Sequence, residues 1–509
     1  MKKHFFGVLL LVVLTVLCGC GGGTKEKDGK DATKASGGTV VVGITNDMDS
    51  LDPHKAVAAG TSEVLYNIFD GLVKADENGV MQPALASEYS ISDDALTYTF
   101  KLRNGVKFHN GKEVTADDVI FSLKRVAGML DEKDIKVISA FSVISDITAQ
   151  DGSDGKEVVV SLSEPNTELI YYFNTAIIPA DYKEQETAPV GAGPFKFVSY
   201  LPMESVVVER FADYYGTAPA LDGATFKIYA SVDDAFMELL AGGIDIFPYL
   251  SYDQTQQLGD DYTIEVGQQS LAEGLYLNNE YEPFKDVRVR QALSYAVDFE
   301  EIDKVVTGGV SHVLKTAMFP TFKEYYDEST ESLYPHDVDK AKALLKEAGY
   351  ENLELEITIP NNYQLHISIA EILADQLGKA GVKVKIKQID WSSWLSDVYA
   401  GHEYQATVIA LDATMAPADV LRYYRGGHRS NFVNFNHKEF DDLYDSALAA
   451  VDQNEKVELY KKCETYLAEN AASVYLMCPS IMVAVSSKLS GYTFYPIYVQ
   501  DLSKISYKE

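Results

Sequence analysis

Hydrophobic residues change their spacing along the chain, and each spacing predicts one kind of element. The run TVVVGIT at residues 39–45 is β-branched apart from its glycine, which is typical of a buried strand. The segment LTYTFKL at residues 96–102 alternates apolar and polar side chains, as a half-buried strand does. After it, TADDVIFSLKRVAG predicts a helix, because Thr115 and Asp118 form a capping-box pattern ahead of one apolar face.

Helices and strands alternate more evenly in the second half of the chain. In IAEILADQLGKAGVKVKIKQI, residues 369–389, the apolar residues follow a helical period up to Gly381 and then a period of two. Lys383, Lys385 and Lys387 fill the alternate positions, and we interpret them as the solvated face of a strand rather than as an anion site. This succession predicts mixed α/β units.

The N-terminus has the layout of a secretory signal. Lys2 and Lys3 precede the uncharged segment Phe5–Leu17. As a helix this segment would reach roughly 20 Å, which is short of a ~30 Å hydrocarbon core. Gly19 supplies the small residue that cleavage requires, and LCGC resembles a bacterial lipobox with Cys20 as the lipidated cysteine. The alternative is an ordinary secretory signal followed by an unmodified cysteine.

The residues after this signal are predicted to form a tether. We expect the signal peptide to comprise residues 1–19, and the lipidated cysteine with its flexible tether to comprise residues 20–38. The tether nearly lacks large apolar side chains, so it cannot build a packed core. Two acyl chains on Cys20 would hold the protein stably at the outer face of the bacterial cytoplasmic membrane.

Composition narrows the classes of partner. A length of 509 residues suggests about three folding units. The 76 acidic residues outnumber the 44 basic ones and give a formal net charge of -32. Such a surface would repel phosphates, so we expect no nucleic acid among the partners. We expect the protein to be a monomer.

Common catalytic and metal-binding motifs are missing from the sequence. No HExxH or G-x-S-x-G pattern occurs, and the nine histidines lack metal-ligand spacing. GAGPFK at residues 191–196 is too short a match for a dinucleotide loop. We therefore expect no enzyme, no metal and no cofactor. Cys463 and Cys478 could form a disulfide outside the cytoplasm, and the sequence leaves that question open.

Several long motifs in a fixed order resemble one protein family. They are LDPH at residues 51–54, YNIFDGLVKADENGVMQPAL at 66–85, GAGPFKFVSYLP at 191–202, LYLNNEYEPFKDVRVRQALSYAV at 275–297 and KAKALLKEAGY at 340–350. Over nearly all of its mature length, the chain resembles the peptide- and nickel-binding group of solute receptors for bacterial ABC importers, solute-binding family 5.

The resemblance implies an α/β fold of the periplasmic-binding-protein type, with two lobes, a hinge and an extra domain inserted in the first lobe. Lobe I is then expected at residues 39–75, 190–270 and 489–509, the inserted domain at 76–189 and lobe II at 271–488. The resemblance also implies that the lobes close on a solute and deliver it to an ABC permease with its ATPase, without making or breaking bonds.

The resemblance places ligand contacts in three stretches of the second lobe. In PNNYQLH, Tyr363 matches a cleft tyrosine of dipeptide receptors, but Asn361 stands where those receptors carry an arginine for the peptide carboxylate. In DWSSWL, Trp391 matches a cleft tryptophan, and Trp394 follows one helical turn later. Tyr363, Trp391 and Trp394 are therefore candidate ligand contacts, with a core position as the alternative for each tryptophan.

The third stretch, ALDATMAPADVL at residues 410–421, contains a candidate partner for a ligand amine. Peptide receptors place an aspartate four residues before the proline. Here Asp412 precedes Pro417 by five residues, and the gapless match is Ala413. Asp412 is either a cleft residue, which would require a cationic ligand group, or a turn residue at the end of a strand.

Other residues of the chain are compatible with other ligands and functions. Arg422, Arg425 and Arg429 could meet an anionic ligand, or they could be solvated. The segment MVAVSSKLSGYTFYPI at residues 482–497 is similar to the nickel-binding branch. The leading hypothesis is a receptor for short peptides or a related small solute, and a receptor for a nickel chelate or another small solute is the first alternative. An anchored sensor and an extracellular hydrolase are the others.

Overall fold

The computed structural model describes residues 37–150, 156–268, 270–413, 415–497 and 499–508. The predicted signal peptide, Cys20 and nearly all of the predicted tether lie outside these ranges. Within the ranges, no helix combines the length and the apolar character that crossing a membrane requires.

The strands follow one another along the whole described chain. In chain order they are β1 (Thr39–Ile44), β2 (Val73–Ala75), β3 (Met81–Pro83), β4 (Ala86–Ile91), β5 (Thr97–Leu102), β6 (Ile144–Ala149), β7 (Glu157–Leu162), β8 (Phe195–Leu201), β9 (Ser205–Arg210), β10 (Gly223–Ile228), β11 (Ile246–Phe247), β12 (Tyr262–Gln268), β13 (Leu271–Leu277), β14 (His312–Val313), β15 (Glu354–Pro360), β16 (Lys383–Ile389), β17 (Ala406–Asp412), β18 (Val474–Cys478), β19 (Ser480–Ser486), β20 (Leu489–Ser490) and β21 (Ser506–Tyr507).

The helices are concentrated in the second half. They are α1 (Ala59–Leu65), α2 (Ala116–Val126), α3 (Val232–Leu240), α4 (Tyr252–Thr255), α5 (Val287–Ala296), α6 (Phe299–Thr307), α7 (Val338–Glu347), α8 (Gln364–Lys379), α9 (Trp391–Ser393), α10 (Pro417–Leu421), α11 (Lys438–Ala449) and α12 (Gln453–Glu469). A π-helical segment, Trp394–Ala400, continues α9, and short 3₁₀ turns lie at Ser139–Val143, Leu169–Tyr172, Glu282–Lys285, Pro320–Phe322 and Glu328–Ser332.

Two large mixed sheets form the centres of two units. The first sheet has the strand order β12-β19-β11-β1-β10-β9-β8, with β1 parallel to both of its neighbours. The second has the order β14-β18-β13-β17-β15-β16, with β15 parallel to β16 and β17. The predicted α/β class with two lobes is therefore confirmed.

The lysine-rich strand of the second sheet is solvated, as its pattern indicates. β16 is the edge strand, and its register places Lys383 opposite Glu354 and Lys385 opposite Glu356. Lys383 pairs with Glu354 at 2.7 Å and Lys385 with Glu356 at 2.6 Å. The lysines of β16 are therefore paired with glutamates on the neighbouring strand and do not form an anion site.

A smaller antiparallel sheet, of order β4-β5-β7-β6, lies within the predicted inserted segment. The predicted strand at residues 96–102 is observed as β5, with Tyr98 and Phe100 fully buried. The predicted helix is observed as α2, and both hydrogen bonds of its capping box, between Thr115 and Asp118, are present. This sheet and α2 share one hydrophobic cluster.

One strand, β19, belongs to the first sheet, although the predicted domain bounds place it in the second lobe. The expected second lobe, residues 271–488, contains β19, yet β19 pairs antiparallel with β11 and β12 of the first sheet. Only Pro479 separates β19 from β18 of the second sheet. The run VYLMCPSIMVAVS is apolar on both sides of this proline, so its hydrophobic pattern does not reveal that the chain changes sheets. The remaining domain bounds stay a prediction.

A buried ion pair joins the LDPH motif to α2. The Asp52 carboxylate accepts hydrogen bonds from both terminal nitrogens of Arg125, at 2.9 and 2.8 Å, and from the His54 backbone N–H at 2.9 Å. Burial tends to raise the pKa of Asp52, but Arg125 and the His54 N–H outweigh it and leave this pKa below its usual value. The pair links the segment after β1 to the small sheet's helix.

The glycines of the GAGPF motif also have a structural role. A Cβ at Gly191 would lie 2.1 Å from the Ile68 carbonyl oxygen, and one at Gly193 would lie 2.6 Å from the Ile68 carbonyl carbon. The Gly193 N–H donates to the Ile68 carbonyl at 2.9 Å. These glycines permit two backbone segments to approach closely, and they do not form a nucleotide loop.

We predict that the Asp52→Asn substitution lowers the free energy of unfolding by about 1.5–3 kcal/mol, because it removes the charge from two buried hydrogen bonds and leaves Arg125 with the ion pair to Glu132 alone among the described residues. Denaturant unfolding measures this loss. Asp52→Asn combined with Arg125→Met should lower the free energy of unfolding by less than the sum of the two single substitutions. Additive effects of the single substitutions would contradict this account.

The same ion pair predicts a dependence of stability on pH. Because the pKa of Asp52 is lowered on folding, the stabilisation from this pair should be complete above about pH 4 and disappear as the pH falls through the folded-state pKa.

Candidate ligand-binding cleft

Three adjoining cavities lie between the units described above, and we refer to them together as the cleft. Their volumes are about 410, 640 and 190 Å³, and Pro496 lines all three. The 640 and 190 Å³ cavities also share Tyr171 and Met415. The 410 and 640 Å³ cavities share Thr321 and Lys323.

Asp412 lies at the smallest of these cavities. It is the last residue of β17, where it pairs with Leu271 of β13, and its side chain is exposed. Tyr171 and Tyr172 of the inserted segment line the same 190 Å³ cavity from the other side. Within the described ranges, no donor is bonded to the Asp412 carboxylate. The strand end thus presents a negative charge to an aromatic-walled space.

The neighbouring arginines are largely engaged by acids of their own. Arg422 forms an ion pair with Asp419 in α10, and it donates to the Tyr423 hydroxyl at 3.1 Å. Arg425 pairs with Asp445 at 2.7 Å. Arg429 is exposed. Two of the three arginines that could have met an anionic ligand are therefore already neutralised within the protein.

The aromatic candidates form a separate cluster. Tyr363 and Trp391 are 43% and 38% exposed, and their rings meet edge to face with centroids 5.6 Å apart. Trp394 stacks on Trp391 at 5.2 Å but is only 3% exposed. Its indole N–H donates to the Thr407 hydroxyl at 3.0 Å. Trp394 thus packs into the core beneath Trp391, and the three cavities of the cleft are lined by other residues.

A buried polar pair that the sequence reasoning missed lies next to this cluster. His366 of α8 contacts the Tyr363 ring, and its Nδ1 lies 2.9 Å from the Glu273 carboxylate in β13. Glu273 is completely buried. A glutamate within the otherwise apolar strand LAEGLYL was the available signal. Asn361 is exposed, and its backbone N–H donates to the Ile389 carbonyl at 2.8 Å.

The 640 Å³ cavity has mostly apolar and aromatic walls with a few charged groups. Val80, Met81, Tyr89 and Ile91 line one side, and Phe322 and Tyr325 line another. Lys323 and Lys456 bring positive charge to this cavity, and Glu324 brings one negative charge. The sequence reasoning did not single out either lysine.

The described residues offer neither a metal cluster nor a disulfide. No group of three or more His, Cys, Asp or Glu side chains in the described ranges could hold a metal ion. Cys463 and Cys478 are buried as separate thiols. Burial raises the pKa of both thiols, that of Cys478 to about 12, so the reactive thiolate form is disfavoured at neutral pH.

The two tryptophans provide a test of this geometry. In a Trp391→Phe variant, only the buried Trp394 remains, so we expect blue-shifted emission and weak quenching by acrylamide. Trp394→Phe should leave a readily quenched indole. It should also lower the free energy of unfolding by about 1–3 kcal/mol, because the buried Thr407 hydroxyl loses its donor. Equal quenching in the two variants would contradict the described positions.

Comparisons with known proteins agree with the fold. The model of the family "Bacterial extracellular solute-binding proteins, family 5 Middle" matches residues 80–432. The dipeptide-binding protein of Escherichia coli (strain K12) is 27% identical over 463 residues, which cover 83% of this chain and 86% of that protein. The oligopeptide-binding protein AppA of Bacillus subtilis (strain 168) is 26% identical over 545 residues, with 97% of each chain covered.

A solved structure shares the architecture. The ABC transporter substrate-binding protein CtaP of Listeria monocytogenes superposes with a TM-score of 0.83 at 26% identity, and the match covers 93% of this chain and 100% of that one. The family match spans more than half of the sequence and includes the inserted sheet and most of the second sheet. The chain therefore belongs to family 5 of the bacterial extracellular solute-binding proteins, the solute-binding proteins of ABC importers.

Proposed function

We propose that this protein captures short peptides, or a related small solute that carries an amine, between its two lobes and delivers the solute to an ABC permease with its ATPase. The Asp412 carboxylate is the observation that carries the proposal. It lines the 190 Å³ cavity at the end of β17, opposite Tyr171 and Tyr172. A carboxylate that lines a ligand cavity favours a cationic group on the solute, because the two can form a charge-assisted hydrogen bond.

The relatives support the same class of solute. Those from Escherichia coli and Bacillus subtilis are named for binding dipeptides and oligopeptides. Every unmodified peptide carries an α-amine that a carboxylate can bind through a charge-assisted hydrogen bond. Asn361 cannot supply the charge that dipeptide receptors use for the peptide carboxylate, so we propose that this protein holds that end of the solute elsewhere.

Hydrogen bonds across the cleft support a closing movement. The Thr167 hydroxyl, in the inserted segment, lies 3.1 Å from the carbonyl oxygens of both Leu448 and Ala450 and can donate to either of them. The Tyr172 hydroxyl donates to the Asp419 carboxylate at 2.6 Å. A solute that contacts both sides would add to these bonds and shift the population towards the closed form, which is the form we propose docks on the permease.

We further propose that the mature protein begins at Cys20 and is held by acyl chains at the outer face of the bacterial cytoplasmic membrane. Residues 20–38 would then serve as a tether that lets a monomeric receptor reach its permease. A tether of this composition reaches on the order of 23 Å, which allows reorientation without detachment.

The amine contact predicts a clear effect of one substitution. Asp412→Asn should weaken binding of the best-bound members of a pool of peptides of two to six residues by about 10- to 100-fold, the loss expected for one charged hydrogen bond. Isothermal titration measures the affinity. Asp375→Asn is a matched control, because it removes the same charge from a surface ion pair with Lys379, and it should bind like the unmodified protein.

Unchanged affinity of the Asp412→Asn variant would refute the amine contact. If the unmodified protein binds nickel with a histidine-like chelator and no peptide, it is instead a chelate receptor. Cleavage of the peptides during titration would identify a hydrolase. If deletion of the permease leaves uptake of the bound solute intact, the protein is a sensor.

The lipid anchor predicts a difference between two nearby cysteines. Cys20→Ser should move the protein from the membrane fraction to the soluble extracytoplasmic fraction, because serine cannot carry the thioether-linked lipid. Cys18→Ser is the control and should remain with the membrane, since this residue would leave with the signal peptide. Membrane retention of the Cys20→Ser variant would contradict the anchor.

A further inference from the structure

A buried lysine faces the largest cavity of the cleft. Lys456 lies in the first turn of α12, is only 6% exposed and lines the 640 Å³ cavity. It shares the inward face of the helix with Tyr460, Cys463 and Leu467. At this helical spacing, a core residue would ordinarily be apolar, so a lysine at this position requires a partner.

The protein supplies little compensation for this charge. Among the described residues, no carboxylate lies within ion-pairing distance of the Lys456 ammonium, and no acceptor is bonded to it. Glu168 is the acid that influences it electrostatically. However, burial lowers the pKa of Lys456 more than Glu168 raises it.

Glu168 is itself committed to another contact. Its carboxylate accepts the Ala418 backbone N–H at 2.9 Å, at the start of α10. Burial raises its pKa more than Lys456 lowers it. Glu168 is therefore a weak counter-charge, and an uncompensated ammonium beside a cavity is costly unless something in the cavity pairs with it.

We propose that Lys456 binds an anionic group of the solute, so that the preferred solute is a zwitterion whose amine meets Asp412 and whose carboxylate meets Lys456. The cavities of Lys456 and Asp412 share Tyr171, Met415 and Pro496, so a single solute can reach both. In this arrangement, Lys456 supplies the positive charge for the solute carboxylate that Asn361 cannot supply.

This inference rests on the proposed function, and three forms of one peptide pool separate the two. The pool contains peptides of two to six residues as free peptides, as C-terminal amides and as N-acetyl peptides. Titration of the unmodified protein should give about 10- to 100-fold tighter binding of free peptides than of amides. Lys456→Met should abolish this preference, and Lys456→Arg should retain most of it.

A control variant and a measurement of thermal stability accompany this test. Lys462→Met removes the same charge from an exposed position of the same helix and should leave the preference unchanged. The thermal midpoint of Lys456→Met should not fall, because the buried charge is unfavourable in the folded protein. If this variant does not fold, equal binding of free peptides and amides by the unmodified protein would still overturn the role of Lys456.

The outcomes distinguish the two claims. Equal binding of free peptides and amides by the unmodified protein overturns the role of Lys456, while loss of binding by the N-acetyl form upholds the amine contact. A preference for free peptides that persists in Lys456→Met also overturns that role. If no form of the pool binds, the proposed function fails and the Lys456 contact fails with it.

Discussion

Each central sheet buries its apolar side chains in clusters of its own, and the cleft depends on this division of the core. Val40 and Phe226 pack in a cluster of the first sheet, whereas Leu275 and Ile357 pack in a cluster of the second. Since the hydrophobic driving force is satisfied within each unit, the space between the units need not be filled with apolar groups. Charged side chains can therefore line that space.

The inserted sheet is attached unequally to the two sides of this space. The buried pair of Asp52 and Arg125 fixes it to the segment after β1. Towards the second sheet it has the hydrogen bonds of Thr167, Glu168 and Tyr172 and the packing of Met415. We infer that the insert moves with the first lobe, carrying Tyr171 and Tyr172 towards or away from Asp412. Part of the free energy of solute binding would then bring these walls together, so that a solute in the cleft favours the closed form.

Elements whose evidence lies in neighbouring residues could be predicted from the sequence. Features that arise where two distant segments meet could not. The capping box of α2 and the lysine-rich edge strand follow from neighbouring residues, and both are observed. Trp394 could not be assigned to core or cleft, because an apolar ring suits both and only its bond to Thr407 distinguishes them. The crossing at Pro479 is hidden within a continuous apolar run. Lys456 was detectable as a charged residue on the inward face of α12, but its cavity arises only when α12 meets the inserted segment.

Native mass spectrometry of the protein as purified from its own organism, before any peptide is added, tests the central claim most directly. The account predicts a retained compound of a few hundred daltons that fragments as a peptide or another solute with both a free amine and an acid. It also predicts that the compound is released on mild unfolding. Retention of a compound that lacks an amine, or of a metal chelate, would contradict the account.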